Sequence, residues 1–117
     1  MIVVKSSDVK AIESTGDLVA KGTVYRQLLI DEKMAGGLQV AVVSFSPGAR
    51  LNFHTHELEQ VLYVTDGAGI VATEEEEYIV TPGTVILIPP GEVHWHGATE
   101  DTPFSHVTIF RGDAKVD

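Results

Sequence analysis

Cysteine is absent from this chain of 117 residues. Disulfides and thiolate metal sites are therefore excluded, and the composition is compatible with a reducing compartment. Positive charge is scarce: 8 Lys and Arg stand against 17 Asp and Glu, a formal net charge of −9. Such a chain lacks the basic footprint that nucleic-acid binding requires. Long apolar runs are missing, since none approaches the roughly 20 residues of a membrane-spanning helix. The amino-terminal MIVVKSSDVK has no charged segment followed by a long apolar one, so no secretory leader is expected and a cytoplasmic location is. Aromatic residues are few, at 7%. No segment carries a clear apolar period of 3.6 residues, which argues against a helical domain.

Hydrophobic residues make up 44% of the chain, carried mainly by Val, Ile and Leu. That is enough to build one compact core, so residues 1–117 are expected to form a single domain. Short β-prone runs alternate with turn residues. The expected strands are residues 2–5, 22–30, 38–45, 52–56, 60–65, 69–73, 77–81, 84–88, 93–96 and 104–111. SPGA, TDGAG, TPGT and IPPGE punctuate them. This rhythm points to an all-β sandwich or barrel. DVKAIEST is read as one helical turn. The four glutamates at 74–77 are read as a solvated hairpin end, because clustered carboxylates repel one another and seek water.

Chemistry concentrates in NFHTHELEQVLYVTDG, residues 52–67. On a strand, His54 and His56 share a face while Thr55 points the other way. Two imidazoles on one face can chelate a single ion. An HTH pair alone is a weak signal, equally met by two buried, hydrogen-bonded histidines. A second block, GTVILIPPGEVHWHGA, lies at residues 83–98. The two blocks together resemble the paired motifs of the cupin superfamily, G-x5-H-x-H-x3-E-x6-G over residues 48–67 and G-x5-P-x-G-x2-H-x3-N over residues 83–98. Two positions depart from that pattern: Gln60 stands in place of Glu, and Ala98 in place of Asn.

The resemblance implies a cupin-type double-stranded β-helix, or jelly-roll barrel, with a divalent metal in its mouth. It makes His54, His56, Gln60 and His94 the metal ligands. Three imidazoles and one oxygen suit Mn(II), Fe(II), Zn(II), Ni(II) or Cu(II), and ligand type does not separate them. The family tilts the choice to Mn(II). Glu59 is the competing oxygen donor, but it is one residue out of step with the motif. Its strand parity is also opposite to that of Gln60.

A neutral glutamine leaves the ion its full charge and cannot itself serve as a base. Proton transfer then falls to other groups. His96 shares the parity of His94, and His106 lies in the late strand-like run FSHVTIF. Both blocks are similar to those of small manganese-dependent cupins that include bacterial hydroxynitrile lyases. That resemblance implies His106 as the catalytic acid–base group, with His96 assisting. The expected function is a metal-dependent lyase that makes or breaks a C–C bond beside a hydroxyl or carbonyl oxygen of a small molecule. A cupin dioxygenase using Fe(II) or Mn(II) and O2 is the alternative enzyme class. A non-catalytic module for a sugar or other small ligand is the alternative outside enzymes. A narrow mouth lined by Val43, Leu51, Leu62 and Phe110 and a homodimer complete the expectations.

Overall fold

A computed structural model describes residues 1–111. After one 3-10 turn at Ser6–Asp8 come eleven strands. They are β1 (Ile12–Glu13), β2 (Val19–Lys21), β3 (Val24–Ile30), β4 (Leu38–Phe45), β5 (Arg50–Leu51) and β6 (Gln60–Gly67). The second half of the chain adds β7 (Gly69–Thr73), β8 (Glu77–Val80), β9 (Val85–Ile88), β10 (His94–Ala98) and β11 (Phe104–Arg111). They build two antiparallel sheets, ordered β1-β3-β4-β11-β6-β9 and β2-β5-β10-β7-β8. Consecutive strands repeatedly fall in opposite sheets, as in a jelly roll.

The alternation that marks a half-buried strand is plain in β6 and β11. Gln60, Leu62 and Val64 are buried on β6, as are Phe104, His106 and Thr108 on β11. Their neighbours in sequence face outward. A bulge on β6 opposite the step from Ser105 to His106 skips one residue of the ladder. Beyond it Val64 and His106 stand opposite each other on the inner face. Bulges bend a strand and re-aim side chains, and this one lies beside the buried histidines.

The apolar core draws on strands of both sheets. The Phe45 and Phe104 rings meet at a tilt, 5.6 Å apart, and with Val24, Leu62 and Val64 are 2% exposed or less. Truncating a ring there, as in Phe104→Ala, costs about 3–5 kcal/mol by lost transfer energy plus a cavity. β10 is buried along its whole length. Its inner face carries His94, His96 and Ala98. Its outer residue Trp95 is covered by the Arg50 guanidinium, 3.8 Å from the ring centroid. Gly97 lets β5 approach: a Cβ there would lie 2.5 Å from the Ala49 carbonyl oxygen and 2.6 Å from the Arg50 Cβ.

Several expected elements differ. Residues 2–5 join no strand, and Ile2 and Val3 stay exposed. Their β-prone composition finds no edge to pair with. Residues 52–56 do not form a continuous strand. His54 makes an isolated antiparallel bridge to His94, with backbone N–H to O distances of 2.9 and 3.0 Å. DVKAIEST is not helical beyond its first residue and instead contributes β1. β1, β2 and β5 were not expected, because two or three residues are too short to show alternation.

Candidate metal centre

His54, His56 and His94 converge between the sheets, each offering a ring nitrogen within 4.8 Å of the others. All three are buried. Their ring centroids are 5.1 Å (54–56), 4.3 Å (54–94) and 5.0 Å (56–94) apart. Backbone carbonyls fix two of the rings. His54 Nδ1 lies 2.8 Å from the Asn52 oxygen, and His94 Nδ1 lies 2.8 Å from the Glu92 oxygen. A carbonyl only accepts, so each Nδ1 carries the hydrogen and each Nε2 keeps its lone pair. That is how a metal-binding imidazole is usually held by its surroundings.

Burial pushes His54 and His56 down to about 4, with each neighbouring histidine adding to the shift and the Asn52 carbonyl opposing it for His54. His94 is lowered for the same first reason. Neutral rings with free lone pairs are the form a cation needs. The buried atoms His56 Nδ1, His94 Nε2 and Gln60 Oε1 have no hydrogen-bond partner. Leaving such atoms unsatisfied costs about 1–3 kcal/mol each, which a bound divalent ion would relieve for the lone pairs it takes.

Gln60 is 6% exposed and lies on β6 opposite Phe110, whose ring stacks on His56 at 6.3 Å. Glu59 points away and meets Arg111 at 3.7 Å near the surface. Glu57 is exposed. Gln60 is thus buried on the strand that pairs with Phe110, next to the ring that meets His56, while neither acid is buried.

Behind this group lies a second one. His106 Nε2 is 3.2 Å from His96 Nδ1, and Thr108 Oγ1 is 3.1 Å from His106 Nδ1. His96 and His106 are 3% and 0% exposed. Phe45 packs against both rings, at 5.9 and 5.6 Å. His96 stacks on His94 at 5.8 Å and meets the edge of His54 at the same distance, so the five histidines form one continuous cluster. Burial holds His106 down to about 4. Burial first, then the surrounding imidazoles, holds His96 well below the usual histidine range. Both rings are neutral near pH 7. His96 Nε2 has no partner, whereas both nitrogens of His106 are engaged.

A cavity of about 390 Å³ opens between the sheets and reaches His94. Its apolar walls are Val71, Ile86 and Ile88, and Glu75, Glu76 and Tyr78 stand on another side. The four residues expected at the mouth fall elsewhere. Leu51 and Leu62 belong to the core with Val43 packed against it, and Phe110 stacks on His56. Parity told inward from outward but could not tell depth along the barrel. Thr108 was missed although it stands two residues beyond His106 and must share its face. The Asn52 and Glu92 carbonyls leave no side-chain signal.

Known proteins resemble this chain in sequence and in fold. The cupin domain family matches residues 41–110. Over 72 residues, 59% of this chain, the sequence is 47% identical to an (R)-mandelonitrile lyase of Granulicella tundricola, of which 53% is covered. Over 73 residues, 57% of the chain, it is 36% identical to the auxin-binding protein ABP19b of Prunus persica, of which 35% is covered. The matches thus span about half or less of these curated relatives. A solved cupin-like protein of Thermotoga maritima is 32% identical and superposes with a TM-score of 0.84, covering 90% of this chain and 81% of that one.

Proposed function

The chain belongs to the cupin family, and from that premise we propose that it is a metal-dependent lyase acting on a small hydroxyl or carbonyl compound. Reversible cleavage of a hydroxynitrile is the most specific form of this reading. The observation that carries it is the set of buried, unpartnered atoms around three converging histidines, with a neutral histidine pair directly behind. His54, His56, Gln60 and His94 would hold the ion, and Mn(II) is the metal of choice. Bound there, a divalent ion supplies Lewis-acid polarisation of a substrate oxygen. The 47% identity to a mandelonitrile lyase supports the reaction class.

The chain's own residues handle the proton. His96 Nε2 is the free ring nitrogen, so it receives the substrate hydroxyl proton as the C–C bond breaks. The electron pair of that bond leaves with the departing group, which then takes the same proton back. His106 supports His96 through the 3.2 Å contact at Nδ1. This order reverses the one the resemblance implied, and it follows from which nitrogen is left open. Neutral His96 accepts a proton; its low basicity makes the return of that proton favourable. The apolar walls Val71, Ile86 and Ile88 lower the polarity around the separating fragments.

The test is metal analysis of the purified protein before and after Mn(II) reconstitution, followed by benzaldehyde release from mandelonitrile. Retention of one ion and metal-dependent release are expected. A protein that takes up no ion, or a loaded protein that cleaves no hydroxynitrile, would sink the reading. The likeness to an auxin-binding protein supports a second reading, ligand capture without chemistry. A bound small aromatic acid whose affinity is indifferent to His96→Ala would favour it.

A further inference from the structure

The hairpin joining β7 and β8 splits the four glutamates into two pairs. Thr73 closes the turn: its N–H donates to the Glu76 carbonyl at 2.8 Å, and its hydroxyl oxygen accepts the N–H groups of Glu75 and Glu76 at 3.3 and 3.2 Å. Glu77 pairs with Ala72 on the outer face, while the next residue, Tyr78, pairs with inward-facing Val71. Glu75 and Glu76 line the cavity; Glu74 and Glu77 are not among its walls. The Tyr78 hydroxyl donates to Glu76 Oε2 and ties that carboxylate to the wall. At the inner end His94 is 3% exposed, and its Nε2 is unpartnered. The two carboxylates and this histidine therefore share the walls of one cavity.

The inner site has no means of rejecting an anion. Its three histidines are neutral, and Gln60 carries no charge. A divalent ion there keeps its full +2 and would take small carboxylates strongly. The negative charge facing the cavity stands in Glu75 and Glu76, with Glu92 also on the wall. We propose that Glu75 and Glu76 form a charge filter that sets the substrate class. Uncharged small hydroxyl or carbonyl compounds pass; small carboxylates are turned back although the centre behind would bind them. This rests on the metal-centre reading above. Coulomb repulsion of an anion in a partly wet cavity is worth about a threefold to tenfold change in affinity for the two charges together, and it is screened by salt.

The experiment loads the protein with Co(II) and follows its visible spectrum while acetate or acetamide is added. Replacing Glu75→Gln and Glu76→Gln together should tighten acetate binding about threefold to tenfold at low ionic strength and leave acetamide unchanged. The gain should shrink in about 0.5 M NaCl. The pair Glu74→Gln and Glu77→Gln removes the same charge from outside the cavity and should change acetate affinity less than about twofold. The filter is overturned if acetate affinity does not move in the first variant, if acetamide moves equally, or if the second variant matches the first. Failure to take up Co(II) is a distinct outcome, which overturns the metal centre and the filter with it.

Discussion

The two histidine groups differ in what holds their protons. His54 and His94 hand their Nδ1 hydrogens to backbone carbonyls, which can only accept. Each ring is therefore locked in one tautomer with Nε2 bare. His96, His106 and Thr108 instead bond to one another, and each of these groups can both give and take a hydrogen. With Thr108 accepting from His106, the pattern leaves His96 Nε2 bare; with Thr108 donating, it leaves His96 Nε2 protonated. One group has a fixed polarity, suited to holding a cation. The other has two patterns of equal connectivity, suited to taking a proton and returning it. Burial keeps both neutral, and the difference lies in the partners.

The comparison can be broken first at the fixed group. His94→Ala removes a lone pair oriented by the Glu92 carbonyl and should weaken metal affinity by at least about 100-fold, read by metal content after dialysis. His106→Ala should leave metal content near that of the parent and cut turnover by about 10²- to 10⁴-fold. Loss of the metal in that variant would show that the two groups are not separable. Thr108→Val keeps the shape and removes the hydroxyl. It should lower turnover by about tenfold and shift its pH profile, because one end of the chain can then neither give nor take a hydrogen.

Acidity should sharpen the contrast in the metal-free protein. His54, His56 and His106 titrate near 4 in the fold, against 6.5 ordinarily. Above 6.5 neither the folded nor the unfolded state holds the extra protons. Below 6.5 the unfolded chain takes them up and the fold does not, so stability falls as pH drops from 6.5 to about 4. Melting temperature should follow that course. Saturating metal should raise the melting point most near neutral pH, since protons compete for the same nitrogens. The smallest effect is expected on the outer side of β10. Arg50→Ala uncovers Trp95 and should cost about 0.5–1 kcal/mol in thermal unfolding, with metal content unchanged.

Much of this site is legible in the sequence. Alternation put Gln60 and Glu59 on opposite faces, and the fold buries Gln60 and leaves Glu59 half-buried beside Arg111. The same rule put His96 with His94. The failures have a common cause. Residues 2–5 are as β-prone as real strands but lack a neighbour, and pairing is a property of two segments. Arg50 and Leu51 form a strand only because Gly97, nearly fifty residues away, leaves room for them.

By itself the sequence determined the fold class, the paired motifs, and which side chains share a face, because period-two alternation and fixed spacing are local properties of the chain. Only the tertiary structure decided which atoms are left open. The bond from His106 to His96, the carbonyls that fix His54 and His94, and the turn that sends two of four adjacent glutamates to the cavity each depend on distances between strands. Those distances follow from sheet packing, which no local pattern encodes.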